Sequence, residues 1–203
     1  AWRRRAATAA LLLPCVASAN GFYVGADAMA VRTDVKPAEV SSAVKVNNPD
    51  STTTIDNKRR SGMRWYGGYA ISDTWSVELA WLDLGSVDTA FGNLTAQSEL
   101  STLNTMIPLS GEGVEGSVVW QPWVYKDRII PALRVGLWHM DTRNTFDVDD
   151  TSYRFNNSDN VLVVELSTGI VLSEQWQLKA GISHYDTNPY RTYTAQIGLQ
   201  YKF

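Results

Sequence analysis

The stretch YTAQIGLQYKF, from Tyr193 to Phe203, alternates between apolar and polar residues at every position. Because successive side chains of a β-strand point to opposite faces, this alternation predicts a strand with one apolar face. Working outward from it, we find the same kind of pattern in seven further segments. The eight candidate strands cover 21–33, 62–71, 75–84, 113–124, 129–140, 160–172, 176–186 and 192–203.

The first 19 residues have the pattern of a secretory signal peptide. Arg3, Arg4 and Arg5 precede a short apolar run, and Ala17-Ser18-Ala19 has the small residues of a cleavage site. The apolar run is too short to span a bilayer as a helix. We therefore divide the chain into a cleaved signal peptide at 1–19 and an exported domain at 20–203.

The composition of the exported domain argues against several classes of partner. Loss of the three arginines leaves 15 basic against 21 acidic residues, and this acidic balance argues against nucleic acid as a partner. The chain has no phosphate loop and no dinucleotide fingerprint. Its two histidines, His139 and His184, do not form a metal-ligand pattern with any cysteine. We expect no cofactor and no metal.

The connections between the candidate strands alternate in length. Those after the second, fourth and sixth strands are short, at 72–74, 125–128 and 173–175, whereas those after the first, third and fifth are long, at 34–61, 85–112 and 141–159. Transmembrane barrels have short turns on one side of the membrane and longer loops on the other. We expect the long connections to be mobile loops, because polar segments of this kind bury little apolar surface.

Eight charged residues fall within the candidate strands, and alternation places all of them on the face opposite the apolar stripe. They are Asp27, Arg64, Glu78, Glu115, Arg134, Glu165, Lys179 and Lys202. In a soluble barrel this face would meet water. In a membrane barrel it would line the lumen, where the charges must pair because isolated buried charges are costly. Four acidic and four basic residues favour a paired lumen network with a structural or gating role.

Glycines and aromatic residues also favour a membrane barrel over a soluble, lipocalin-like one. Most of the glycines inside the candidate strands fall on the polar face, as a narrow lumen filled by side chains requires. Trp and Tyr residues cluster near strand ends, which is typical of the aromatic girdles at the two membrane interfaces. The sequence therefore predicts an all-β fold, an eight-stranded antiparallel up-and-down transmembrane β-barrel over 20–203.

Two hairpins and the last strand resemble the OmpA-like outer-membrane β-barrel family. MRWYGGYAISDTWSVELAWLDLG (Met63 to Gly85) is similar to the family's second hairpin, and GVEGSVVWQPWVYKDRIIPALRVGLWHMD (Gly113 to Asp141) is similar to the next. IGLQYKF is similar to the final strand. The longest members continue into a peptidoglycan-binding domain, which we do not expect here.

The resemblance implies a location and partners for the protein. It implies the outer membrane of a Gram-negative bacterium, contact with outer-membrane lipid and lipopolysaccharide, and long loops that face outside and can meet an extracellular ligand. It also implies that the barrel-assembly machinery reads Phe203 as an assembly signal.

Three functions remain open at this point. The first is a structural and surface-interaction protein with a plugged lumen, and the second is a small pore for ions or small solutes. The third is a lipid A-modifying enzyme, for which Ser183-His184-Tyr185-Asp186 is the nearest catalytic candidate. Asp186 stands where the deacylase pattern requires a serine, and no carboxylate follows it. We therefore predict the first function without enzymatic activity, with the pore as the alternative.

Overall fold

The protein is described here from a computed structural model, which covers residues 21–34, 52–55, 59–86, 89–92, 110–148, 151–187 and 191–203. Its strands are β1 (Phe22–Thr33), β2 (Thr52–Ile55), β3 (Arg59–Ala70), β4 (Trp75–Ser86), β5 (Thr89–Gly92), β6 (Ser110–Trp120), β7 (Ile129–Val148), β8 (Thr151–Val171), β9 (Trp176–Tyr185) and β10 (Thr192–Lys202). Within these ranges, no helix is long and apolar enough to cross a membrane.

Eight of the strands close into an antiparallel barrel in the order β1-β10-β9-β8-β7-β6-β4-β3. Closure comes from β1, which pairs with β3 on one side and with β10 on the other. Asp27 of β1, for example, lies opposite Arg64 of β3 and Gly198 of β10. The predicted eight-stranded antiparallel barrel is confirmed, and closure gives each barrel strand a neighbour on both sides.

Two of the short turns are built by the same local chemistry. In the turn from β3 to β4, the hydroxyl of Ser72 accepts a hydrogen bond from the backbone N–H of Trp75 at 3.1 Å. In the turn from β8 to β9, Ser173 accepts one from the N–H of Trp176, also at 3.1 Å. A serine that bonds the backbone a few residues onward stabilises a tight turn. Each turn therefore sets a tryptophan at the start of the following strand.

The predicted loop at 141–159 is wrong, because β7 and β8 stay paired along it. Their ladder runs without a break from Ile129 opposite Ile170 to Val148 opposite Thr151. The segment is polar but rich in β-branched and aromatic residues, which favour strands. The polar residues that suggested a loop instead form a paired hairpin, which extends beyond the apolar band of the barrel.

The other two long connections contain more strand than the sequence suggested. β2 at 52–55 and β5 at 89–92 pair with each other in a separate two-stranded sheet. β3 begins at Arg59, β4 ends at Ser86 and β6 begins at Ser110. The remainder of these connections lies outside the described residues, and so does the predicted signal peptide at 1–19.

The two faces of the barrel have the polarity of a membrane protein. Large apolar side chains point outward and are exposed, among them Leu79 at 66%, Leu137 at 63% and Ile182 at 63%. Seven of the eight charged residues singled out in the sequence point inward and are buried. This arrangement is the reverse of a soluble barrel, whose apolar face would be inside. The soluble, lipocalin-like alternative is therefore ruled out.

An aromatic girdle surrounds the short-turn end. The ring centroids of Phe22 and Tyr69 are 4.7 Å apart, those of Trp75 and Trp120 are 6.2 Å apart, and those of Trp176 and Tyr201 are 4.9 Å apart. Phe203 joins the last pair with its ring 5.1 Å from that of Tyr201. Such a girdle marks the level of a membrane interface.

Candidate functional site in the barrel lumen

The structure brings seven of the eight predicted charged residues together inside the barrel, one from each of seven strands. They are Asp27 (β1), Arg64 (β3), Glu78 (β4), Glu115 (β6), Arg134 (β7), Glu165 (β8) and Lys179 (β9), and each exposes 7% or less of its surface. Alternation explains the shared face, since each side chain falls on the inward phase of its strand. These seven residues are called the lumen network below.

Lys202 lies apart from the lumen network. It faces the lumen opposite Tyr23 at the short-turn end, where it is half-buried. In the described part of the chain we find no carboxylate within ion-pair distance of it. The lumen network thus contains four acidic and three basic residues, with a formal charge of −1 instead of the balance that the sequence suggested.

Arg64 is one centre of the lumen network. Its guanidinium nitrogens lie 3.4 Å from Oδ2 of Asp27, 2.5 Å from Oε2 of Glu78 and 3.5 Å from Oε1 of Glu115. The same guanidinium lies over the ring of Tyr66, 4.4 Å from its centroid. Carboxylates and an aromatic face are the partners that a buried arginine needs to offset its desolvation.

Arg134 is the second centre, and Glu115 links it to the first. Arg134 forms ion pairs with both Glu115 and Glu165, and its Nε donates a hydrogen bond to Oε2 of Glu165 at 2.8 Å. On the far side, Nζ of Lys179 lies 3.8 Å from Oε1 of Glu165. The ion pairs therefore form one continuous chain from Asp27 to Lys179 across the lumen.

Two lumen tyrosines support the network, and the sequence analysis did not single them out. Tyr66 contacts two cations: its ring centroid lies 4.4 Å from the Arg64 guanidinium and 4.7 Å from Nζ of Lys179. The hydroxyl oxygen of Tyr23 lies within hydrogen-bond distance of the Ser76 hydroxyl, at 2.8 Å, and of Oε1 of Glu78, at 3.1 Å. Alternation would have found both, because each tyrosine shares the inward phase of a charged neighbour on its own strand.

An apolar layer fills the lumen on the long-loop side of the network. Its members are Met29, Val31, Leu82, Leu84, Trp138, Met140, Val161, Val163 and Tyr185, all of which are buried. Trp138 and Tyr185 meet edge to face, with ring centroids 5.7 Å apart. Side chains therefore fill the lumen at two levels, one ionic and one apolar, as expected for an eight-stranded barrel.

Some polar atoms of the lumen network have no hydrogen-bond partner among the described residues. They include Oδ1 of Asp27, Nε of Arg64 and Oε2 of Glu115. An unpaired buried polar atom costs free energy. Glu115, which touches both arginines, is therefore the residue of the network best placed to exchange partners.

The catalytic candidate at 183–186 is split between the two faces of the barrel wall. The hydroxyl of Ser183 points into the lumen, where it bonds Glu165 at 3.3 Å and Gln196 at 3.1 Å. His184 points outward, with its ring 4.9 Å from that of Tyr193. A nucleophile and its base must lie within hydrogen-bond reach, so these two residues do not form such a pair. The described ranges also contain no cluster of side chains that could hold a metal ion.

A closed barrel with an apolar exterior, an ionic interior and an aromatic girdle defines a transmembrane β-barrel protein. The sequence matches the family described as outer membrane protein beta-barrel domain over residues 6–203, and the chain belongs to this family. Membership implies an outer-membrane location. No curated protein matches the chain.

Two solved structures show the same fold at low sequence identity. The N-terminal β-barrel domain of Pseudomonas aeruginosa OprF matches with a TM-score of 0.55 and 11% identity, over 89% of this chain and 97% of that chain. Neisserial surface protein A, NspA, matches with a TM-score of 0.54 and 16% identity, over 91% of this chain and 98% of that chain. The predicted resemblance to OmpA-like outer-membrane barrels is thereby confirmed.

Proposed function

We propose that the protein is a structural and surface-interaction protein of the outer membrane. In this proposal, the lumen is closed by charged side chains and the long loops face outside. The proposal rests on the continuous chain of ion pairs from Asp27 to Lys179. This chain links side chains from seven of the eight barrel strands.

The lumen network supports a rigid, closed barrel. Loss of one partner from a buried ion pair costs about 3–5 kcal/mol, because the other charge is left uncompensated. The network therefore holds the strands together and blocks the lumen at the same time. Because the lumen of such a barrel is blocked, other molecules can bind only to its outer surface and its loops.

The β7–β8 hairpin supports a role at the surface. β6 pairs with β7 as far as Asp141, and the hairpin continues from there to Val148. At about 3.3 Å per residue, these seven residues extend roughly 23 Å past the neighbouring strand. A paired, polar projection presents two edges to an extracellular ligand. NspA, which has the same fold, is named as a surface protein.

A small pore for ions or small solutes is the second candidate, and the unpaired atoms of the lumen network favour it. If Glu115 moved fully from one arginine to the other, the ion-pair chain would break at the centre of the lumen. The formal charge of −1 would then favour cations. Catalysis is not part of either proposal, since Ser183 and His184 lie on opposite faces of the wall.

Conductance across a planar bilayer separates the two candidates. We expect the refolded protein without residues 1–19 to show no channel steps. We expect Arg134→Glu to conduct, because it replaces the cation between Glu115 and Glu165 with a third carboxylate and the three repel one another. Arg128→Glu makes the same charge change in an exposed turn and should stay silent.

The folded state of each variant is checked by its heat-dependent migration in gels. If Arg134→Glu does not fold, Glu165→Gln removes one charge at nearly constant volume and takes its place. Discrete channel steps from the unaltered protein would overturn the plugged barrel in favour of the pore. Silence from folded lumen variants would show that the lumen network is not what closes the barrel.

A further inference from the structure

The outer wall of the barrel carries an apolar groove close to its long-loop end. The groove has a volume of about 500 Å³ and crosses β1, β10, β9 and β8. Ala30 and Ala195, which pair with each other across β1 and β10, have short side chains that leave room at its centre. Larger side chains border it, namely Leu166, Ile182 and Tyr193. The wall is therefore indented here, and the indentation lies on the face that meets lipid.

Two arginines stand at the end of the groove nearest the loops. Arg32 lines the groove two residues beyond Ala30, and Arg59 of β3 lies directly opposite Arg32 in the strand register. Both side chains point outward and are exposed. Directly opposed residues have Cβ atoms about 4.5–5.5 Å apart, and like charges in this position destabilise the strand pair.

The charges of these two arginines are not compensated within the described residues. We find no described carboxylate within ion-pair distance of either one, although Asp34 follows β1 two residues after Arg32. The neighbouring Arg60 behaves differently. It points inward and donates hydrogen bonds to the carbonyl of Leu84 at 2.6 Å and to the hydroxyl of Thr33 at 2.9 Å. The inward arginine is thus satisfied by Leu84 and Thr33, whereas the outward pair has no such partner among the residues that the structure describes.

We propose that the groove and the arginine pair form a binding site for lipopolysaccharide. A phosphate of its lipid A lies between Arg32 and Arg59, and one acyl chain runs down the groove across Ala30 and Ala195. Arginine is suited to the phosphate because its planar fork of N–H donors matches the phosphate oxygens.

The order of the site along the wall matches the order within the lipid. The cations stand toward the loops and the apolar groove lies toward the centre of the membrane, as the headgroup and the chains do in a leaflet. The choice of lipopolysaccharide over phospholipid rests on the proposed function, which places the loops and hence this end of the barrel outside.

Native mass spectrometry of the protein in neutral octyl glucoside micelles tests the site. The probes are purified hexa-acylated lipid A, lipid A with its phosphates removed, phosphatidylglycerol and phosphatidylcholine. We expect saturable 1:1 binding of lipid A, with weaker binding of the other three. Arg32→Glu together with Arg59→Glu should weaken lipid A binding by about tenfold or more, as the loss of hydrogen bonds to a charged group predicts.

Matched variants separate the two halves of the site. Arg128→Glu, which changes an exposed cation at the other end of the barrel, should leave lipid A binding unchanged. Ala195→Phe fills the groove and leaves both arginines in place, so it should weaken binding as well. Ala180→Phe adds the same bulk at another outward-facing alanine, outside the groove, and should have no effect.

Equal binding of lipid A by the double arginine variant and the unaltered protein would overturn the site. So would equal binding of phosphatidylglycerol and lipid A, because it would show that lipopolysaccharide is not selected. If the double arginine variant does not fold, Ala195→Phe and Ala180→Phe are compared instead. Equal lipid A binding by these two variants would overturn the site. Binding in micelles does not depend on conductance or on membrane orientation, so a negative result would leave the plugged-barrel proposal standing.

Discussion

Tyr23 and Tyr66 owe their places in the lumen to glycines on the neighbouring strand. Gly68 lies opposite Tyr23 and Gly25 lies opposite Tyr66, so that each ring lies over a residue without a side chain. A Cβ atom on either glycine would overlap the ring. Glycine is used here because a bulky group approaches the backbone closely. The pairing brings Tyr66 against Arg64 and Lys179 and so supports the lumen network.

Gly68→Ala should destabilise the barrel, because the added methyl group displaces Tyr23 from Ser76 and Glu78. We expect a loss of about 1–3 kcal/mol in the free energy of unfolding, as for other overpacked sites. The measurement is urea-induced unfolding from lipid vesicles. Gly116→Ala is the control, since a methyl group there meets nothing within 4 Å and should change stability by less than about 0.5 kcal/mol. Equal effects would show that the Tyr23 contact is unimportant.

β8 shows how far strand alternation alone determines a segment. Its even-numbered residues from Leu162 to Ile170 face lipid, and its odd-numbered residues from Val161 to Glu165 are buried in the lumen. The sequence therefore predicted both faces of this strand. It placed the start of the strand at 160, whereas β8 begins at Thr151. The missed residues, 151–159, are mostly polar. Whether a polar segment forms a strand depends on its pairing with β7, which alternation within β8 does not reveal.

Leu166→Arg should destabilise the protein much more than Leu172→Arg, although both leucines are exposed, at 60% and 58%. Leu166 lies within β8, level with the lumen residue Glu165, whereas Leu172 lies in the turn that follows the strand. An arginine on the lipid face costs about 2–4 kcal/mol at the midplane and about 0–1 kcal/mol near an interface. Unfolding of the two variants in vesicles measures this difference. Equal costs would contradict the assigned level of the membrane.

The barrel as a whole is held together by contacts between residues far apart in the chain. The lumen network joins β1 to β9, and the backbone N–H of Phe203 donates a hydrogen bond to the carbonyl of Phe22 at 3.1 Å. The ring of Phe203 contacts Tyr201 in the aromatic girdle. These contacts place Phe203 in the aromatic girdle. The assembly signal remains a prediction from the resemblance.

Phe203→Ala separates the two roles. If the barrel-assembly machinery reads this residue, the variant should refold into vesicles almost normally, because its backbone hydrogen bond is kept, while the folded amount in cells falls several-fold. Immunoblots of heat-treated and unheated outer membranes measure that amount. Phe22→Ala removes a girdle aromatic at the same end, where its ring lies tilted against that of Tyr69, and should leave assembly normal. Equal losses in cells would leave Phe203 a girdle residue only.

The sequence by itself determined where the eight barrel strands cross the apolar band, which residues lie on each of their two faces and which charges share the inner face, because side-chain direction in a strand follows residue number. It therefore predicted that Asp27, Arg64 and Arg134 share one side of the wall. Only the tertiary structure decided which charges meet. Register and closure place Glu115 between Arg64 and Arg134 and leave Lys202 outside the network. The physical reason is that a partner is set by the position of the neighbouring strand, and a shift of one residue would exchange the two faces.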